Sequence, residues 1–477
     1  MKFVISRLLI FVVAMLGILS CSDVYESDSG SITLKSEGIF VWGVGESTST
    51  TYTQSNIESI YMTDIPTGWE ITIDTKTKTI TATAPSDIST ESGNASGGRA
   101  TVVGHTPDNV SVPVFLEVGV VERYDLDALG EQSNSMIATQ PNKFYTFNPK
   151  RIAEQTEETL ATKTCKIIWQ TYTQPIKFVE IMSDGCVGFY TSYDADDYDE
   201  DGSTEDVLEG NAVIGAYNSS GTLLWSWHIW ITEDDPRTTT VTLDGQTFMD
   251  RNLGASMNDN TDEDYILVSQ GLFYQWGRKD PFQRAAYYNA DSCYDASMID
   301  DDGDYLYISY VERTSSKGLT SYLTKRPTTY IYTEDEDNRD WLATPDDSLW
   351  GNGVEKSIYD PSPKGWMVPA SFGNIEVAYN ADNEYSATLS DGVNEALFMA
   401  VGRRTYEKGL IENVNPVSPT LQAPGGFYWT STAASPSFVF NTEMVVNSIN
   451  YPDDYPSVES SLNARANGMQ IRCVKVE

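Results

Sequence analysis

Short runs of period-two alternation, fenced by turn-forming residues, recur along this chain and constrain its fold more than any other feature. Glu70-Ile71-Thr72-Ile73-Asp74 and Thr79-Ile80-Thr81-Ala82-Thr83-Ala84 put apolar side chains on one face and polar ones on the other, the pattern of half-buried strands. The turn-rich stretch from Ser86 to Gly98 separates them from Thr101-Val102-Val103, and Val112 to Val118 closes the series. Residues 32–121 are therefore read as a small β-sandwich.

Residues 122–235 repeat the pattern. Lys166-Ile167-Ile168-Trp169, Phe178-Val179-Glu180-Ile181-Met182 and Val187-Gly188-Phe189-Tyr190 read as short strands, followed by Gly210 to Tyr217. Asn218-Ser219-Ser220-Gly221 is a turn, and Leu223 to Thr232 returns. In that last run Trp225, Trp227, Ile229 and Ile231 share one face, and Ser226, His228 and Trp230 the other. Aromatics on both faces predict a strand covered on both sides. His228 has no visible partner cluster and is read as a packed, hydrogen-bonded histidine. Residues 236–477 are richer in turns, Gly, Asp and aromatics; short helices are expected over Tyr265–Trp276 and Glu395–Gly402. The fold class is thus mostly β with a C-terminal α+β domain: two β-sandwich modules followed by a loop-rich domain.

Charge narrows the partners. The 477 residues carry 69 acids against 31 Lys and Arg, a formal net charge of −38 with no basic block. Nucleic acid and anionic bilayer surfaces need clustered cations, so neither is expected to bind. Two histidines in the whole chain leave little for His-based metal or proton-relay chemistry, and no cofactor is required by any motif.

The amino terminus sets the compartment. Lys2 and Arg7 precede an apolar run from Leu8 to Leu19, too short to span a bilayer comfortably. Ile18-Leu19-Ser20-Cys21 resembles a bacterial lipobox, which implies that residues 1–20 are a signal peptide and that Cys21 is the lipidated first residue of the mature chain. The polar, acidic stretch from Ser22 to Gly30 reads as a tether, residues 21–31 in all. Acids just after a lipobox cysteine are similar to the surface-export signals of Bacteroidetes lipoproteins; that resemblance implies an outer-membrane lipoprotein facing the cell exterior. Ile65-Pro66-Thr67-Gly68-Trp69 likewise resembles the opening of immunoglobulin-like modules in Bacteroides surface proteins, with Trp69 expected to plug the core.

Four cysteines remain after Cys21: Cys165, Cys186, Cys293 and Cys473. Export permits disulfides and four thiols allow three connectivities. Cys165–Cys186 is the first choice, leaving Cys293 and Cys473 for each other or free. The strongest ion signal is Asp197-Tyr198-Asp199-Glu200-Asp201-Gly202, where Asp197, Asp199 and Asp201 alternate before a glycine as oxygen ligands for calcium do. Asp300-Asp301-Asp302-Gly303-Asp304 and Asn258-Asp259-Asn260-Thr261-Asp262 are weaker versions.

Five ordered motifs mark the C-terminal half. They are Thr240 to Gly254, Gly271-Leu272-Phe273-Tyr274-Gln275-Trp276-Gly277-Arg278-Lys279-Asp280, Tyr359-Asp360-Pro361-Ser362-Pro363-Lys364-Gly365-Trp366, Gly426-Phe427-Tyr428-Trp429-Thr430-Ser431, and Asn467-Gly468-Met469-Gln470-Ile471-Arg472-Cys473-Val474. Their order over residues 236–477 strongly resembles the Fibrobacter succinogenes major paralogous domain, a family that looks like C-type-lectin and formylglycine-generating-enzyme folds. That family commonly has a cysteine where this chain has Ser362, so Cys473 lacks the partner the pattern implies. Neither the ligand triplets of calcium-dependent lectins nor the paired-cysteine centre of formylglycine-generating enzymes is present, so neither chemistry carries over. From the residues themselves, Arg251, Arg278 and Arg472 are expected in buried Arg–carboxylate pairs, and Trp276, Trp366 and Trp429 as core pillars.

The functional expectation is a non-enzymatic surface lipoprotein that binds a glycan or a host or envelope protein, as a fimbria-associated adhesin for instance. The rivals are a glycan-degrading or glycan-modifying enzyme, since so many carboxylates supply pairs, and a structural envelope or pilus-assembly component with fimbrial subunits as partners.

Overall fold

A computed structural model describes residues 30–182, 184–192, 206–286, 295–378, 386–400, 402–412, 425–435, 438–445 and 457–476. Among them strands dominate, and the α-helices are two short pieces, Glu263–Val268 and Thr320–Leu323. No described helix is long and apolar enough to cross a membrane. The protein is mostly β, of sandwich type, as its alternation requires. It divides into two compact units: residues up to 39 with 45–119, and residues 40–44 with 120–477.

In the first unit, strands run antiparallel in the order Ser31–Leu34, Ser47–Ser55, Thr79–Thr83, Glu70–Asp74. Ser111–Val120, Gly97–His105 and Ser59–Thr63 are neighbours in a second antiparallel sheet. Inward-facing residues of these strands make the core, with Ile71, Ile80, Ala82, Val102 and Leu116 among them. Trp69 is buried as anticipated, and its indole N–H finds the Ala95 carbonyl at 2.9 Å, which removes the penalty for burying that polar atom.

The second unit is built on a six-stranded sheet. Its order is Ser135–Ala138, Leu223–Ile231, Gly210–Tyr217, Thr164–Thr171, Met298–Ile299, Tyr305–Leu306, parallel at the first pair and antiparallel elsewhere. A four-stranded sheet, Ile176–Ile181, Val187–Thr191, Phe144–Phe147, Arg123–Asp125, belongs to the same unit. One core gathers Met136, Phe147, Ile167, Phe189, Ile214, Trp225 and Trp227 from these two sheets. On the opposite face of the six-stranded sheet, Ile137, Trp169, Val213 and Trp230 enter a larger core with Met249, Phe273, Trp276, Trp350 and Trp429. Both faces of Leu223–Ile231 are therefore covered, which is why its alternation shows aromatics on each parity. Residues 122–235 and 236–477, distinct by sequence pattern, thus share one sheet and one core.

Two helix expectations are corrected. The helix expected over Tyr265–Trp276 is Glu263–Val268 only, capped by the Asp262 carboxylate. The chain then turns at Gly271, at a positive φ where L-residues are strained, and Tyr274–Gln275 becomes a strand. In place of the helix expected over Glu395–Gly402, Glu395–Met399 is a strand paired with Ser386–Ser390. Alternate residues Ala396 and Phe398 enter a core with Leu389 and Phe372, so tertiary packing chose period two over helix propensity.

Candidate functional site

The five motifs converge. Phe248 pairs with Val474, Trp366 with Lys475, and Tyr274 with Met469 across short antiparallel ladders. The Trp429 and Gln470 amides bond to the Gln470 and Phe427 carbonyls, at 3.0 and 3.1 Å. The tryptophan N–H groups knit the same centre: Trp276 to the Thr430 carbonyl at 2.9 Å, Trp429 to the Tyr274 carbonyl at 2.7 Å. Trp276, Trp366 and Trp429 are all buried, as core pillars should be.

The arginines behave differently from expectation in two of three cases. Arg251 does pair with a carboxylate, in a fork on Asp250 at 2.9 and 3.1 Å. Arg278 instead donates to the carbonyls of Thr329 and Pro327 at 2.7 and 3.1 Å, and to the Gln275 side chain. Arg472 donates to the Asn252 side chain and to the Met249, Asp250 and Leu397 carbonyls. Buried carbonyls from strands and loops alike surround these guanidinium groups, whose five donors satisfy them.

A buried polar hub ties the second motif to the six-stranded sheet. The Lys279 ammonium lies 2.5 Å from an Asp280 carboxylate oxygen and 2.5 Å from the Ser226 hydroxyl, which itself donates to Asp280 at 2.6 Å. The Trp225 ring sits 4.5 Å from the ammonium. Burial lowers the Lys279 pKa against the opposing pull of Asp280. Two residues further along the same strand, His228 meets the Ser135 hydroxyl at Nδ1 (2.8 Å) and the Asn211 side-chain oxygen at Nε2 (2.9 Å). Burial depresses it to about 3, so it stays neutral, packed and bonded in the manner its sequence context suggested.

The cysteine expectations are corrected in part. Cys165 and Cys186 carry free thiols. Cys165 lies on the Thr164–Thr171 strand of one sheet, and Cys186 in the segment just before Val187–Thr191 of the other. Cys473 is also free and buried, its thiol donating to the Ser362 hydroxyl at 3.3 Å. Burial pushes the Cys165 and Cys473 thiols up to about 12, which makes them unreactive. Cys21, Cys293 and the Asp197, Asp199 and Asp201 triplet lie outside the described residues. In the weaker acidic stretches the side chains serve local structure. Asp262 caps a helix, Asp259 closes a turn on Thr261, and Asp300 accepts the amides of Asp302 and Asp304 in a β-hairpin.

That hairpin presents a feature sequence reasoning missed. Met298–Ile299 pairs with Tyr305–Leu306 on one side and with Gln170–Thr171 on the other. Leu306 and Ile308 turn inward to the large core, leaving Tyr305 and Tyr307 outward at 58% and 79% exposure. Tyr172, just past the neighbouring strand, is 60% exposed, and its ring lies 5.8 Å from that of Tyr305 with 11° between planes. Hydrogen bonding with Tyr172 is the main reason the Tyr305 phenol titrates above its ordinary value. The signal was in the sequence: after the Asp300–Asp304 turn, Tyr-Leu-Tyr-Ile puts its tyrosines on the parity where a half-buried strand carries polar residues. What could not be read was that Tyr172, more than a hundred positions away, joins them.

No family model matches the chain, and no curated protein matches its sequence. Among solved structures, SGBP-B of the Bacteroides ovatus mixed-linkage glucan utilization locus, in complex with a mixed-linkage heptasaccharide, is 10% identical with a TM-score of 0.13 over 41% of this chain and 43% of its own. The Yersinia pseudotuberculosis adhesin InvE is 10% identical with a TM-score of 0.13 over 93% and 97%. Protocadherin Gamma B7 cadherin domains 1–4 are 9% identical with a TM-score of 0.15 over 47% and 57%. The chain spans less than half the length of the first. Likeness at these scores carries no argument about fold or ligand.

Proposed function

We propose that this protein is a non-enzymatic surface lipoprotein, anchored through Cys21 on the outer face of an outer membrane, whose C-terminal half is a Fibrobacter succinogenes major paralogous domain serving as a recognition head for a glycan or protein ligand. The observation that carries the family reading is the Cys473–Ser362 contact at 3.3 Å. The resemblance implied a cysteine at position 362 facing Cys473. Two residues separated by 111 positions meet where that pattern would put a bridge. The convergence of all five motifs on one core supports the same reading and gives those motifs a scaffold role. Recognition then falls to surfaces outside them.

Two measurements test it. Radiolabelled palmitate should enter the wild-type chain and not Cys21→Ala, and protease added to intact cells should remove the wild type. The purified chain, screened against glycan and protein arrays, should retain a ligand of one class. Failure of both the labelling and the array removes the proposal.

A further inference from the structure

Three phenol rings stand out of the second unit at the edge of its six-stranded sheet. Single exposed aromatics are ordinary, whereas a group of exposed rings gathered at one end of neighbouring strands needs a reason. The strand order Thr164–Thr171, Met298–Ile299, Tyr305–Leu306 brings Tyr172 beside Tyr305. The two rings are nearly parallel, and Tyr307, just past the edge strand, is also exposed. Leu306 and Ile308, packed in the core, fix the backbone that carries them, so the ledge is preorganised.

We infer that Tyr172, Tyr305 and Tyr307 form a stacking ledge for a neutral polysaccharide. This rests on the reading of the chain as a surface binding protein and names the ligand class and the site. A pyranose with equatorial hydroxyls has a flat C–H face, matched by the electron-rich face of a phenol ring. Its hydroxyl rim donates hydrogen bonds, and Asp302 and Asp304 of the same hairpin are exposed acceptors. Other stacking ligands fit less well. Single-stranded nucleic acid stacks on aromatics inside a basic groove, and here the adjoining turn carries four carboxylates in a chain of net charge −38. Anionic polysaccharides meet the same repulsion. Protein hot spots are desolvated pockets, and rings 58–79% exposed form a raised surface instead.

The test uses the full-length chain in affinity gels and calorimetry against soluble neutral polysaccharides (a β-glucan, a mannan and a xylan), with polygalacturonate, a single-stranded oligonucleotide and a peptide array as the other arms. Wild type should bind at least one neutral glycan, with affinity insensitive to salt. Tyr305→Ala and Tyr172→Ala should each weaken it about ten-fold, Tyr307→Ala less, and Tyr305→Phe should retain it because the ring face remains. Unchanged melting curves would show that these exposed substitutions leave the fold intact. If a neutral glycan binds equally to the Tyr172→Ala/Tyr305→Ala double variant, the ledge is overturned and the surface-binding reading stands. Binding confined to the anionic polymers or to peptides also overturns the ledge alone. Retention of no ligand in any arm overturns both.

Discussion

Replacing Ser362 by cysteine should create a disulfide with Cys473. The two side chains touch at 3.3 Å in a dry environment, and a sulfur in place of the hydroxyl oxygen needs to move little to reach bonding distance. The closed loop spans 111 positions, so the denatured chain loses about 5 kcal/mol of conformational freedom. The replaced hydroxyl–thiol hydrogen bond offsets this by about 1 kcal/mol at most. In a unit this large, where each kcal/mol moves the midpoint by about 2 °C or less, the oxidised variant should melt roughly 5–10 °C above its reduced form. Intact mass should fall by two hydrogens, a peptide map should place the bridge at 362–473, and calorimetry with and without reductant should show the gap. Cys473→Ser in the same background should abolish both the mass change and the gap. If the thiols at 362 and 473 both remain titratable after oxidation, Ser362 does not occupy a bridge position and the reasoning is refuted; a bridge that forms without raising the midpoint would refute the loop-closure magnitude.

Three further outcomes follow from the buried polar groups and the first unit. His228 has a folded pKa of about 3 against 6.5 ordinarily; both states are neutral above pH 6.5, so its stability contribution is complete there and is lost as pH falls towards 3, by about 4–5 kcal/mol in full. The difference in urea midpoint between wild type and His228→Gln should therefore shrink steadily on acidification, and a difference constant with pH would contradict the assignment. Lys279→Met strands the Asp280 carboxylate beside Ser226 and should cost about 3–5 kcal/mol; adding Asp280→Asn should recover part of that loss in a double-mutant cycle, and strict additivity would argue against the hub. Trp69→Ala should destabilise the first unit by about 3–5 kcal/mol, read as an early transition in calorimetry that leaves the main transition of the second unit in place.

Where one face is buried and the other wet, the chain announced itself. Glu70–Asp74 and Thr79–Thr83 are strands on the strength of alternation and flanking turns, because parity alone decides which side chains leave water. The same parity told that Leu223–Ile231 is covered on both faces, and the tendency of large aromatics to pack told that Trp276 and Trp429 are interior. Tertiary structure decided what depends on distant partners. Glu395–Met399 is a strand because Ser386–Ser390 lies beside it; Arg278 and Arg472 bond carbonyls because the fold brings backbone from distant segments around each guanidinium; Cys165 and Cys186 remain free thiols because the fold does not bring them together. The tyrosine ledge belongs to the same class. Its outward parity is local, but its composition comes from strand order, a non-local choice set by how the whole apolar surface is buried at once.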